Sequence, residues 1–204
     1  MKTLDRNQFV ARKIGKLNGE IVVDLGCRNK ILKEYLTGKF EYYPVDFNPS
    51  INNADFINHN LENGLPKQLS KIDVITAIDV LEHINNIHLI LEECFNRTQK
   101  IIAIALPNMA YYKFRFSFLI TGKISNKYTF HENKVLDRHR WLTTHYTNVN
   151  FIKKNVPSNW KIFKYDFIAH RKKNSFFYYI EKILSKFFPQ LCVYENIFIL
   201  KKIN

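Results

Sequence analysis

Apolar residues fall along the first half of this chain in two alternating rhythms. Short, near-continuous apolar runs, of the kind required by strands buried on both faces, occur at 20–25, 40–45, 54–57, 73–78 and 100–106. Around them apolar residues recur at helical spacing: Leu4, Phe9, Val10, Ile14 and Leu17 before the first run, Ile31, Leu32, Tyr35 and Leu36 after it, and Val80, Ile84, Ile87, Leu91 and Cys94 across 79–95. Asn18-Gly19 and Thr37-Gly38 read as helix stops, and Pro107-Asn108 closes the fifth run. Strands alternating with helices in this way predict right-handed crossovers and a doubly wound parallel sheet.

Past Asn108 the rhythm changes. Residues 111–120 are aromatic, basic and helical in spacing, whereas 121–146 are polar, rich in histidine and without a clear period. Residues 151–155 read as the end of a helix, and 160–169 and 196–201 as two further strands. Between those strands, 174–188 place Phe176, Phe177, Ile180, Ile183, Leu184, Phe187 and Phe188 on one side of an amphipathic helix. The expectation is a cover for a hydrophobic pocket, although Arg171, Lys172 and Lys173 just before it could rest on an anionic lipid surface.

Composition narrows the class. With 46% hydrophobic and 24% charged residues the 204-residue chain is globular, and it is read as one domain whose pattern changes between 1–108 and 109–204. The longest apolar run, 101–106, is far short of the roughly 20 residues of a membrane span, and residues 1–6 lack the apolar core of a secretion signal. Cys27, Cys94 and Cys192 form neither a disulfide framework nor a zinc pattern, which suits a reducing, cytoplasmic setting. Residues 1–100 hold 13 Lys and Arg against 13 Asp and Glu, so the net charge of +13 comes entirely from 101–204, with 18 against 5. That half is expected to meet an anionic partner such as a phosphorylated metabolite, small or carrier-linked, nucleic acid or a membrane surface.

In an open parallel sheet, ligands bind outside the carboxyl ends of the strands. Asp24 and Gly26 at the first strand end offer a carboxylate for an ammonium group and a close backbone approach. Asp46, 22 residues further on, has the spacing of a ribose acceptor. With these pieces in place, residues 20–108 resemble the class I S-adenosylmethionine-dependent methyltransferases. The matching segments are Val-Val-Asp-Leu-Gly-Cys at 22–27, Tyr-Pro-Val-Asp-Phe-Asn-Pro at 43–49, Asn-Leu-Glu at 60–62, Asp-Val-Ile-Thr-Ala-Ile-Asp-Val-Leu-Glu-His at 73–83 and Leu-Pro-Asn at 106–108.

The resemblance implies an α/β fold with a doubly wound, mostly parallel seven-stranded sheet of order 3-2-1-4-5-7-6 and an added helical lid. It implies S-adenosylmethionine as cofactor, with the methionine part at Asp24 and Gly26, the ribose on Asp46, the adenine between Phe47 and Asn60-Leu61, and Ala77 and Ile78 flanking the methionine end. Two positions depart from the family. Its Gly-x-Gly-x-Gly survives only as Gly26, with Arg28 and Lys30 at the other two places, and Asn60 stands where many members have aspartate. The missing glycines argue against a pyrophosphate ligand and are compatible with a sulfonium nucleoside, which carries no phosphate.

Two groups could carry chemistry beyond cofactor binding. Asp137-Arg138-His139-Arg140-Trp141 combines an imidazole of suitable pKa with an acid and two guanidiniums, so His139 is read as a general base oriented by Asp137, with His131 and His145 as weaker candidates. Asp79, Glu82 and His83 are expected to share one face of a helix, with His83 a further catalytic candidate. This triplet is similar to the Glu-x-x-Glu-His of small-RNA 3′-end methyltransferases, in which case His131, His139 or His145 would complete a divalent-metal site. The first expectation is metal-free O-methylation of an anionic acceptor such as a sugar intermediate of surface-glycan synthesis. The alternatives are metal-assisted ribose methylation of RNA, and a binding protein that keeps the fold without catalysis.

Overall fold

The computed structural model describes residues 5–47, 56–129, 138–168 and 176–203. Seven strands form one sheet: β1 (Lys16–Leu25), β2 (Thr37–Asp46), β3 (Ile57–Asn58), β4 (Ile72–Ile78), β5 (Thr98–Pro107), β6 (Trp160–Phe167) and β7 (Glu195–Lys202). Their order is β3-β2-β1-β4-β5-β7-β6, with β7 antiparallel to both β5 and β6 and the remaining pairs parallel. This is the order expected from the resemblance.

Alternation along each strand divides the core between two faces. Val23, Leu25, Ile75, Ile102 and Ile104 point to one side, where α3 (Ile87–Arg97) contributes Ile87, Ile90, Leu91 and Cys94, and α5 (His145–Asn155) contributes Ile152. Val22, Val74, Ala103 and Ala105 point to the other, against Val10, Ala11 and Ile14 of α1 (Arg6–Ile14) and Leu32 of α2 (Ile31–Tyr35). Each fully buried Ile or Leu contributes about 1.5–3 kcal/mol. The remaining helices, α4 (Tyr112–Thr121), α6 (Phe176–Phe187) and the short α7 (Pro189–Cys192), follow β5 and β6.

Three expectations change. The first helix ends at Gly15, not at Asn18-Gly19, because β1 begins at Lys16 and pairs with Thr37, Gly38 and Lys39 through a register shift between Asn18 and Glu20. The same pairing turns Thr37-Gly38 from a helix stop into a strand start; a Cβ at Gly38 would lie 2.0 Å from the Leu17 carbonyl oxygen. The helix expected over 79–95 is instead a 3-10 turn, Leu81–His83, followed by α3. Asp79 breaks the helical run by taking a left-handed conformation, φ 54°, with its N–H bonded to the Ala105 carbonyl. The strand expected at 54–57 appears as β3 from Ile57, with Ala54 and Asp55 outside the described residues.

Candidate active site

The turn after β1 is built by backbone. Gly26 and Cys27 both donate to the Val45 carbonyl, at 2.8 and 3.3 Å, tying the ends of β1 and β2 together. Gly26 has φ +63°, and a Cβ there would meet Val80 Cγ2 at 2.4 Å, so only glycine fits. Arg28 and Lys30 have φ 42° and 56°, so the chain keeps the left-handed shape of a glycine-rich turn without its glycines. Each non-glycine residue in that region costs about 1–2 kcal/mol. Asp46 offsets part of this by accepting the Arg28 N–H at 2.8 Å, and the Lys30 ammonium lies 3.9 Å from the centre of the Phe56 ring.

The expected cofactor residues divide into two groups. Gly26, Asp46 and the half-exposed Phe47 line the ends of β1 and β2, and Ala77 and Ile78 close β4 beside them. Asp24 is more deeply placed. It is 4% exposed, with one oxygen accepting from the Thr76 hydroxyl at 2.6 Å and the other from the Tyr42 hydroxyl. Burial outweighs those two donors and pushes its carboxyl up to about 6. Leu61 is core, and the Asn60 side-chain oxygen caps the 3-10 turn Leu61–Asn63 by accepting the Glu62 N–H at 3.0 Å. The oxygen that the resemblance assigns to an adenine amino group therefore already has a partner. Glu62 reaches across to Asn85, accepting from its backbone and side-chain N–H groups at 2.8–3.1 Å, and so joins this loop to the segment after His83.

That segment carries the most unusual group of side chains in the molecule. Glu82, His83 and His139 converge so that one ligand atom from each lies within 4.8 Å of the others. His83 Nε2 and His139 Nε2 stand 3.8 and 3.9 Å from Glu82 Oε1. The hydrogen bonds fix the tautomers. His83 Nδ1 lies 2.9 Å from the Arg138 carbonyl, which can only accept, so Nδ1 carries the proton. Tyr128 gives its one hydroxyl proton to the Trp141 carbonyl at 2.8 Å and therefore accepts from His139 Nδ1 at 3.0 Å. Both Nε2 atoms thus face a carboxylate that is 1% exposed and whose two oxygens meet no hydrogen-bond donor among the described residues. Burial and the neighbouring Asp79 push Glu82 up to about 8. Glu82, His83 and His139 together form a set of side chains able to hold a cation.

The spacing is close to that of a metal site. Separations of 3.8 and 3.9 Å are too long for hydrogen bonds and exceed the edge of about 3.4 Å of a tetrahedral shell with bonds of about 2.1 Å, so an ion would draw the three side chains slightly together. Two imidazoles and a carboxylate are a common donor set for divalent ions, and each imidazole is oriented through its second nitrogen, as metal-ligating histidines are. The strap that brings His139 is firmly anchored: Arg140 N–H donates to the Glu82 carbonyl at 2.7 Å and Trp141 Nε1 to the Ile84 carbonyl at 2.7 Å.

Several sequence expectations are corrected here. Asp79 does not share a helix face with Glu82 and His83, since its backbone leaves the helical region; its carboxylate pairs with Arg6, which also lies 3.6 Å from the buried Glu195. Of the three histidines considered for completing the set, His139 does so. His145 instead opens α5, 2.9 Å from Asn196 Nδ2 and 3.8 Å from Asp166, with its pKa lowered mainly by burial. His131 and Asp137 lie outside the described residues. Arg6, Tyr128 and Glu195 were missed; the only hint was an arginine opening the helix ahead of β1.

The comparisons follow this geometry. The sequence matches the family of methyltransferase domains over residues 4–110, half of the chain. The chain belongs to the class I S-adenosylmethionine-dependent methyltransferases. No curated protein matches the sequence. Among solved structures, the methyltransferase is similar to small RNA methyltransferase HEN1, with a TM-score of 0.64 at 14% identity over 97% of this chain, which spans 25% of the HEN1 chain. It is also similar to an S-adenosylmethionine-dependent methyltransferase from Archaeoglobus fulgidus, TM-score 0.55 at 16% identity, covering 97% of this chain and 93% of that one. The plantazolicin methyltransferase BpumL, solved with S-adenosylhomocysteine, gives 0.54 at 15% identity, covering 96% and 82%. S-adenosylmethionine is the cofactor, and the left-handed turn at Gly26, Arg28 and Lys30 beside Asp46 is a site compatible with it.

Proposed function

We propose that this methyltransferase transfers the methyl group to a hydroxyl oxygen of an anionic, sugar-bearing acceptor, with a divalent cation held by Glu82, His83 and His139. The observation that carries this reading is the convergence of two imidazole Nε2 atoms on the buried Glu82 carboxylate. In it, Gly26, Asp46, Phe47, Asn60, Leu61, Ala77 and Ile78 position the cofactor, while Asp24 holds the strand ends through Thr76 and Tyr42. The bound cation would polarise an acceptor hydroxyl and lower its pKa, making the oxygen nucleophilic near neutral pH. His139 then serves as a ligand and not as the free general base first expected, because its Nε2 faces Glu82. The methyl group passes from sulfur to oxygen in line, and the hydroxyl proton leaves to solvent, so positioning supplies most of the acceleration.

The excess of basic residues in 101–204 supports an anionic acceptor. A sugar intermediate of surface-glycan synthesis and the ribose of an RNA are both of this chemistry. The similarity to HEN1, named a small RNA methyltransferase, makes RNA the second acceptor to test. The experiment is methyl transfer from labelled S-adenosylmethionine by chelator-treated protein, with Mg²⁺, Mn²⁺, Co²⁺ or Zn²⁺ restored, offered glycan extracts and short RNAs. Activity that needs the ion, with cofactor binding by calorimetry intact in its absence, is the expected result. Activity indifferent to chelation overturns the metal reading, and failure to bind S-adenosylmethionine leaves the fold as a binding scaffold.

A further inference from the structure

α4 and α6 bury less of their apolar surface than the helices packed on the sheet. α4 has no buried residue, and Phe116, Leu119 and Ile120 are 64, 81 and 66% exposed. α6 buries only Glu181, leaving Phe176 and Phe187 74 and 72% exposed. The pocket cover expected from the sequence is therefore turned to the outside. The two helices are joined where Tyr111, just before α4, donates to Glu181 Oε1 at 2.6 Å, which fixes the start of α4 at the middle of α6. Outward helix faces this apolar mark a surface that meets something.

Charge identifies the occupant. The segment from α4 to Lys123 exposes Lys113, Arg115 and Lys123 and contains no acid; α6 exposes Lys182 and Lys186, and its one acid is the buried Glu181. We propose that α4 and α6 seat the enzyme on an anionic lipid bilayer, with aromatic and aliphatic side chains at the interface and lysines against the headgroups. Aromatic and aliphatic residues interleaved with lysine are what such an interface selects. A second copy of the chain would set these five cations against five more. A nucleic acid would neutralise them but offers no apolar phase for Leu119 and Ile120. No described helix is long and apolar enough to cross a membrane, so the contact is peripheral. The inference does not rest on the metal-assisted chemistry.

The test is co-sedimentation of the full chain with vesicles of phosphatidylcholine alone or of equimolar phosphatidylcholine and phosphatidylglycerol. Binding to the anionic vesicles is expected to be at least about tenfold stronger and to fall with added salt. The double variant Leu119→Asp/Ile120→Asp should lose that binding by about tenfold with unchanged circular dichroism and cofactor affinity, and Lys182→Glu/Lys186→Glu should lose it on its own. Equal binding to both vesicle types, or none, overturns the proposal. So does a concentration-dependent dimer, or an RNA complex, that Leu119→Asp/Ile120→Asp abolishes.

Discussion

Two buried carboxylates sit at the carboxyl end of the same sheet, and their surroundings could hardly differ more. Asp24 lies between β2 and β4 and receives a hydroxyl from each, so its charge is matched by donors that the fold itself supplies. Glu82, in the turn after β4, receives none from the described residues and faces two imidazoles. Burial raises both. Burial and pKa alone would therefore rank them together; the hydrogen-bond inventory separates a residue that completes the structure from one suited to hold a cation.

The contrast can be broken in order of expected effect. Glu82→Gln keeps the shape but removes the anionic ligand, and should lower metal-dependent methyl transfer by about a hundredfold or more while changing metal-free stability by less than about 1 kcal/mol. Equal activity in the variant would remove Glu82 from the site. Asp24→Ala should do the opposite, costing about 3 kcal/mol in chemical denaturation because the Thr76 and Tyr42 hydroxyls lose their acceptor inside the sheet.

The pH dependence sharpens the same point. An aspartate titrates near 4 in the unfolded chain and Asp24 near 6 in the folded one, so folding retains its proton and gains stability below pH 4. That gain is lost as pH rises through 6. Relative to wild type, Asp24→Asn should therefore become more stable by about 2–3 kcal/mol between pH 4 and 7, measured as a difference in unfolding free energy. A constant difference across this range would mean that Asp24 is not held up by burial.

Smaller effects test the supporting groups. Tyr128→Phe leaves His139 Nδ1 without its acceptor and should weaken metal affinity by about tenfold, read by ion titration. Arg28→Gly should stabilise the protein by about 0.5 kcal/mol, as relief of left-handed strain exceeds the added flexibility of the unfolded chain. A loss of stability there would show that the arginine side chain contributes more than its backbone costs.

Much of the fold was legible because each strand announces itself as an apolar run and each packed helix as a period. The errors lie where long-range pairing overrides local signals, as at Asn18-Gly19 and Thr37-Gly38, which form ladder positions once β1 and β2 are side by side. The apolar spacing from Val80 to Cys94 is real, yet Asp79 turns left-handed and Glu62 holds Asn85 from outside, so a helix was expected where two elements stand. In the site, Glu82 and His83 were named together with His139 as one of three histidines that could complete the set, and the sequence did not say which of the three it is. Nothing local in a histidine 56 positions further on states that its ring meets that of His83 edge to face at 4.6 Å. Arg6 and Tyr128 act through contacts made only after folding, and carry no motif of their own.

The strap at 138–141, pinned through the Glu82 and Ile84 carbonyls, has a consequence for inheritance. Residues 4–110 define membership of the family, and they contain two of the three proposed ligands; the third arrives on a segment beyond that boundary. Descent of the cofactor fold and descent of the proposed cation pocket are thus separable, and on that proposal replacing one short strap by recombination would change the chemistry while leaving every family-defining residue in place.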